Sequence, residues 1–451
     1  MKQGELTEKK RISKRGSWKE SRVWAEITAS LGKRKRVQKK NNTSPVLIIG
    51  GGVAGLTAAL DLAAAGQAVH LVEIGGSLGG QVAKLDKIYP TDHCAFCPLW
   101  TDIKRCREHP LITVHTSSTL RELKKKDSHM QALIVKKPPA IDEARCIFCG
   151  RCQKGCPAGA AYPAGVHTYP PVYRIDRDAC TDCGACVTIC PTGAIDFHRR
   201  EESMTLAVSD VVWAAGFREI DVSPLKEFGY GSHRDIMTSL EFEEWTAEAG
   251  PNKGTILTKS DRSIPESIAF IQCTGSRDQK FLPYCSAVCC MHAFKQAQWV
   301  QRRNPAVRCV ILYTDLRTVG KDYYAYALRE ARGNGITLIR GRPSLIHPLP
   351  GGNGIAVKFE DTITQKREIW KFDMVILNGN IGPSLTGDAR EKSVAPALTG
   401  EGFIDTGVDE GSRIGCGFSL EPADVAESAI RASSAAVRVI TGQDSRQDER
   451  G

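Results

Sequence analysis

No uninterrupted apolar stretch in the 451 residues approaches the roughly 18 residues of a membrane span. The longest candidate, Val46 to Gly66, is rich in glycine and carries Asp61. The N-terminus, beginning MKQGELTEKKR, lacks the apolar core of a secretory signal. These absences speak for a cytoplasmic protein that is not integral to a membrane. Aspartate is missing from residues 1–45, which hold nine Lys and five Arg against four Glu, so this tail carries the whole formal net charge of +10. The remainder is neutral. A basic tail can attract nucleic acid, anionic lipid or an acidic partner. This one has neither the glycine-rich nor the aromatic pattern of a nucleic-acid binder. Residues 1–44 are therefore expected to be a solvated extension, or residues ahead of the working start, with no nucleic-acid partner.

Seventeen cysteines need an explanation other than secretion, and most stand at metal-ligand spacing, as in a reducing compartment. Cys146, Cys149, Cys152 and Cys156-Pro157 are followed by Cys180, Cys183, Cys186 and Cys190-Pro191. Each run reads C-x2-C-x2-C-x3-C-P, the spacing of a bacterial-type ferredoxin with two 4Fe–4S clusters. Three thiolates on one tight loop supply three corners of a cubane. The fourth, released by its proline into a helix, reaches across to the other cluster. This assigns Cys146, Cys149, Cys152 and Cys190 to one cluster, and Cys180, Cys183, Cys186 and Cys156 to the second. The alternatives are a zinc ribbon and a disulfide knot, but a ribbon needs only four ligands.

Pro45 to Ile49 reads as a short apolar strand, Gly50-Gly51-Gly52-Val53-Ala54-Gly55 as G-x-G-x-x-G, and Leu56 to Ala65 as a helix. Ala68 to Val72 is the second strand, ending in Glu73. Together they form a βαβ dinucleotide fingerprint, with Gly50 at the turn, Gly52 beside the pyrophosphate, Gly55 at the strand–helix contact and Glu73 at the ribose. The helix N-terminus, opening at Val53-Ala54, offers free N–H groups to phosphate. The N-terminal position and the glycine pairs Gly75-Gly76 and Gly79-Gly80, the latter followed by Gln81, suit FAD better than NAD. Ser209 to Gly216 looks like a strand and glycine turn returning to the FAD domain, and Phe372 to Gly379 like a second. A further strand, Ser267 to Ile271, should precede the glycine grip for NAD(P)H, but the loop reads Gln272-Cys273-Thr274-Gly275-Ser276-Arg277-Asp278. The grip is missing and cysteines stand in its place. The expected fold is α/β: a two-dinucleotide-binding, thioredoxin-reductase-like FAD fold with an inserted two-cluster ferredoxin domain and a degenerate nicotinamide lobe.

Cys273, Cys285, Cys289 and Cys290 form a four-thiol set, with Cys285 and Cys289 one turn apart at the start of a helix. They are the ligands of a third 4Fe–4S cluster, buried free cysteines, or a redox disulfide. Cys94 and Cys97, with Cys106 beyond, are a redox dithiol like that of thioredoxin reductase, part of a further cluster, or structural cysteines. Cys309 and Cys416 read as packing residues.

Several stretches resemble the A-type subunits of heterodisulfide reductase. They include Gly79-Gly80-Gln81 through Lys87, Cys94-x-x-Cys97, Arg107 to Pro110, Gln272 to Asp278, Tyr284-Cys285-Ser286, Cys289-Cys290-Met291 with Lys295-Gln296-Ala297, Asp315 to Thr318, Gly320 to Tyr323 and Ile339 to Pro343. The resemblance runs from about residue 45 to 440. It implies the FAD-bearing electron hub of a larger complex, in which the cysteines matching 273, 285, 289 and 290 hold a cluster. The gap between the first two, residues 274–284, is one residue shorter here than in the family. It also implies that Lys295 lies near the reactive edge of the flavin, where a cation favours the anionic reduced form. The longer members have an N-terminal cluster-binding domain and a C-terminal ferredoxin, which the sequence lacks, so Cys94 and Cys97 are short of partner ligands that Cys106 could replace. Gly415 to Asp424 is longer than the family turn.

The expected layout is a tail at 1–44, FAD domain at 45–139, ferredoxin insert at 140–199, FAD-domain return at 200–230, nicotinamide-like lobe at 231–335, the last FAD segment at 336–440 and a tail at 441–451. The expected function is electron transfer within a hetero-oligomer of heterodisulfide-reductase-like subunits, coupling two-electron flavin chemistry to one-electron relays and open to electron bifurcation. A ferredoxin, hydrogenase-type or dehydrogenase-type partner exchanges electrons with the ferredoxin clusters. The rivals are a stand-alone NAD(P)H-dependent disulfide oxidoreductase using Cys94 and Cys97, and a non-catalytic carrier or scaffold protein in the complex.

Overall fold

Apolar strands buried on both faces build two parallel sheets, each covered by helices. The computed structural model describes residues 44–126, 129–137, 139–164, 171–352, 354–385, 394–407 and 413–442. The basic tail up to residue 43 and the C-terminal residues 443–451 lie outside them.

The first sheet has the strand order Arg413–Gly415, Val211–Trp213, Val46–Ile49, Val69–Val72, Ile112–His115, all parallel. Its central strand runs through Gly50 into the Val53–Ala64 helix, which packs with the Phe96–Glu108 and Val425–Thr441 helices over one face. The last helix is started by a capping box: the Asp424 carboxylate accepts from Glu427 N–H, and Glu427 accepts in return from Asp424 N–H.

On the other side of the sheet lies a three-stranded antiparallel layer, Glu202–Val208, His129–Lys136 and Ser118–Lys126 in that order. The ferredoxin-like segment is inserted between two neighbouring strands of this layer, where a short turn would suffice. Its ends close on each other. Asp142 N–H bonds Ala194 O and Asp196 N–H bonds Ala140 O, each at 2.8 Å, around the Ile141–Ile195 bridge. The insert therefore leaves and re-enters without disturbing the layer.

The second lobe is a five-stranded parallel sheet ordered Ile236–Thr238, Met374–Leu377, Ser267–Ile271, Arg308–Tyr313, Thr337–Arg340. A three-stranded antiparallel sheet, Pro343–Pro348, Ile355–Asp361 and Lys366–Phe372, packs against it. Two expectations are corrected here. Phe372 to Gly379 does not return to the FAD domain; its strand lies beside Ser267–Ile271 in the second lobe. The boundary at 335/336 also fails, because Thr337–Arg340 is an edge strand of the same sheet. A fully apolar parallel strand followed by glycine reads alike in either sheet, so sequence pattern cannot assign it. The chain crosses between lobes on a two-stranded ribbon, Phe217–Glu219 against Ile381–Pro383. The lobe expected at 231–335 thus spans about 220–380.

Candidate functional site

At the first sheet, the turn after Val46–Ile49 is cut to fit glycine. Gly50 has φ +106°, and a Cβ on it would meet Ala214 O at 2.3 Å. Gly52 caps the helix with extended backbone and has no side-chain cap, so the first N–H groups stay available to an anion. The glycine-rich segment folds back over this turn: Gly79 N–H bonds Gly51 O at 2.8 Å, and a Cβ on Gly80 would stand 3.0 Å from Gly52 Cα. Gln81 reaches Phe217 O at 3.4 Å while its own Oε1 is buried and unpartnered. Glu73 accepts from Gly51 N–H and Gly75 N–H, each at 2.6 Å, and burial raises its pKa against those bonds. Gly216, at φ +70°, donates to Ser419 Oγ at 3.2 Å. The open helix start, the close glycine backbone and the orphaned Gln81 oxygen fit a dinucleotide.

In the insert the two cysteine runs repeat their backbone. Phe148 and Gly150 in the first, and Asp182 and Gly184 in the second, take left-handed φ between 51 and 72°. A small open pocket is lined by Cys146, Cys149 and Cys152 together with Cys190 of the other run. On the second side, Cys186 lies within electrostatic reach of Cys180 and of Cys156 from the first run. The backbone thus carries each fourth cysteine to the opposite run. One detail differs: Cys156 and Cys190 are followed by turns, not helices. Proline tightens each turn so that peptide N–H groups aim at sulfur, with Ala160 N–H on Cys156 at 3.2 Å and Ala194 N–H on Cys190 at 3.3 Å. Such bonds hold the Cys156 thiol below its usual pKa and suit a cluster thiolate.

The four thiols of the second lobe also meet. Cys273, Cys289 and Cys290 are buried and Cys285 is half-buried. The neighbouring thiol of Cys290 and burial, with the charges of Cys273 and Cys285, raise the Cys289 pKa. The structure does not make Tyr284 to Val288 helical; the helix begins at Cys289 and runs to Arg303. Ala287 takes φ +62° and Cys273 φ +57°, so a loop rather than one helix face brings Cys285 to the others. That loop is pinned by Thr274 N–H on Asn378 O at 2.8 Å and by Ser276 and Ser286, whose hydroxyls both donate to Gly379 O. Arg277, paired with Asp315, borders Cys273.

Cys106 does not join Cys94 and Cys97. Nine residues separate it from Cys97 on one helix, two and a half turns, so the two point to opposite sides. Cys106 is fully buried beside Leu99 and Ile103, its Sγ 3.7 Å from Leu56 O, and burial pushes its thiol up to about 12. Cys97 is exposed next to Cys94, which raises its pKa by hydrogen bonding and charge. Cys309 and Cys416 are buried in the two cores.

Lys295 is buried, not a solvated helix lysine. Its Nζ lies 2.5 Å from Glu243 Oε1 and 3.0 Å from Lys87 O, tying the second lobe to the segment that follows Gly80-Gln81. Glu243 also accepts from Asp86 N–H at 3.0 Å and Gln296 at 3.1 Å, and stands 3.2 Å from His292 Nε2. Burial would raise its pKa, but Lys295 and His292 outweigh that and hold it well below the carboxylate range. Nothing in the sequence signals Glu243, since an interior glutamate on a short helix looks like any other until its partner is known.

Two family models match the chain: the FAD dependent oxidoreductase family over residues 45–92 and the 4Fe-4S dicluster domain over 145–195. The solved structures it resembles include thioredoxin reductase from T. acidophilum, with TM-score 0.51 at 11% identity, covering 88% of this chain and 98% of that one. Another is thioredoxin reductase from Lactococcus lactis, with TM-score 0.50 at 12% identity, covering 88% and 97%. These likenesses show the fold. Among the described residues no helix is long and apolar enough to cross a membrane. The second A-type iron-sulfur subunit of CoB--CoM heterodisulfide reductase from Methanopyrus kandleri is 36% identical over 89% of this chain. Its counterpart from Methanocaldococcus jannaschii is 34% identical over 87%. The A-type subunit of the H(2):CoB-CoM heterodisulfide,ferredoxin reductase from Methanothermobacter marburgensis is 31% identical over 87%. The chain spans 65%, 63% and 63% of those three proteins. With these relatives 31–36% identical over nearly nine-tenths of its length, and with the flavin and dicluster family models both matching, the chain belongs to the A-type subunit family of heterodisulfide reductase.

Proposed function

We propose that this chain is the FAD and iron–sulfur electron-transfer component of a heterodisulfide-reductase-like complex. The observation that carries the reading is the loop at residues 272–288, where cysteines occupy the place of a nicotinamide phosphate grip in an otherwise intact lobe. Bound at the glycine turn of the first sheet, FAD would exchange electrons in pairs, and 4Fe–4S clusters on the cysteine sets would exchange them singly. Gly50, Gly52, Val53, Ala54 and Gly55 would hold the diphosphate, Glu73 the ribose, and Gly80, Gln81 and Gly216 the flavin side. Cys146, Cys149, Cys152 and Cys190 would ligate one cluster, Cys180, Cys183, Cys186 and Cys156 a second, and Cys273, Cys285, Cys289 and Cys290 a third. Lys295 would place its charge near the flavin, steadied by Glu243 and Lys87 O.

In this reading the ferredoxin clusters serve a cytoplasmic electron carrier or dehydrogenase-type partner, and the disulfide-reducing site belongs to other subunits. The test is anaerobic. Dithionite should reduce the purified chain fully, while NADH and NADPH should leave it oxidised. Stoichiometric reduction by either nucleotide would instead support a stand-alone disulfide reductase using Cys94 and Cys97.

A further inference from the structure

Where the insert meets the flavin domain lies a charge network that neither the ferredoxin motif nor the glycine fingerprint explains. Arg174, on the Tyr173–Ile175 strand of the insert, lays its guanidinium over Gly76 of the flavin domain. A Cβ on Gly76 would stand 1.8 Å from Arg174 Nη2 and 2.1 Å from Cζ, so a side chain there would push the guanidinium aside. Arg174 Nη2 donates to Glu143 Oε1 at 2.7 Å, and Arg107, on the Phe96–Glu108 helix, approaches Glu143 Oε2 at 3.6 Å. Two guanidinium groups share one carboxylate, which leaves one positive charge over. Arg174 Nη1 and Arg107 Nε are buried and have no hydrogen-bond partner among the described residues. Buried donors of a charged group are costly to leave unmade, so their presence points to an absent acceptor.

The position names the acceptor. Gly76 lies three residues beyond Glu73, at the end of the second strand, where a dinucleotide fold receives the adenosine ribose. Between them Ile74 is 76% exposed, an apolar surface without cover. An adenine base brings both complements, a flat apolar face and ring nitrogens that accept hydrogen bonds. We infer that Arg174 is an FAD-positioning residue, by which the inserted domain helps to receive the adenosine end of the cofactor. The inference rests on the FAD reading above. Its consequence is reciprocal: whatever docking of the insert contributes to FAD binding, FAD binding returns to docking.

The test uses the full chain, freed of flavin and titrated with FAD and separately with FMN, which has no adenosine. Arg174→Ala should weaken FAD binding at least about tenfold, the loss expected for a charge-assisted hydrogen bond. It should leave FMN binding unchanged and keep the iron and visible absorption of the insert. Arg174→Lys retains the charge without the planar fork and should recover part of the loss. Unchanged FAD affinity in Arg174→Ala, or equal loss of FAD and FMN, overturns the inference. A wild-type chain that binds neither flavin removes the FAD reading itself.

Discussion

Single residues divide into those that chemistry announces and those that only a neighbour explains. The eight cysteines of the insert announce themselves, because one repeated spacing encodes both loops and carries each fourth cysteine to the opposite run. Cys106 does not: in sequence it is one more cysteine beyond a C-x2-C, and its burial among Leu99 and Ile103 shows it to be core. Cys106→Ala should therefore keep full iron and flavin content, whereas Cys273→Ala should lose about four irons. Equal iron loss in both, measured by colorimetric assay, would return Cys106 to the ligands. Glu243 is the counter-case, invisible in sequence and central in the structure. Glu243→Ala leaves Lys295 buried without a counter-ion and should cost about 3–5 kcal/mol of stability in chemical denaturation. Because the folded carboxyl titrates below its ordinary value of 4.5, the pair stabilises fully above that pH and the gain fades as pH falls further.

At the scale of elements, the sequence is legible where turn chemistry is specific and ambiguous where only apolar pattern is available. The βαβ unit is marked by its glycines and its closing acid, and the insert by its cysteine spacing. The strand Met374–Leu377 carries no such mark, since burial on both faces erases the periodicity that would identify its neighbours. The loop before Cys289 looks helical in sequence because nothing there marks the left-handed residue Ala287. Exchange of the fourth cysteines is itself testable. Cys190→Ala should alter the electron paramagnetic resonance of the cluster on the Cys146 loop and spare that on the Cys180 loop; the opposite pattern would refute the exchange.

Strand pairing also sets a pH response. His70 and His115, on adjacent parallel strands, stand 3.0 Å apart between Nδ1 and Nε2. Burial first, then the His70 and Lys136 charges, lowers the His115 pKa from 6.5 to about 4. The unfolded chain thus takes up a proton in this range that the folded chain refuses, so stability should fall as pH drops from 6.5 toward 4. Urea unfolding at a series of pH values should show this slope, and His115→Gln should flatten it. A variant with the wild-type slope would place the response elsewhere.

The whole molecule is a thioredoxin-reductase-like frame in which the nicotinamide grip has given way to thiols and a hairpin has opened to admit a ferredoxin-like insert. Three cysteine sets and one dinucleotide turn are thereby carried on a single chain, the arrangement expected of a junction between paired and single electrons. Anaerobic determination of iron, acid-labile sulfide and flavin in the intact chain should give about twelve irons, about twelve sulfides and about one FAD. A chain without flavin, or with fewer than about eight irons, would contradict such a junction, and about eight irons would leave Cys273, Cys285, Cys289 and Cys290 without a cluster.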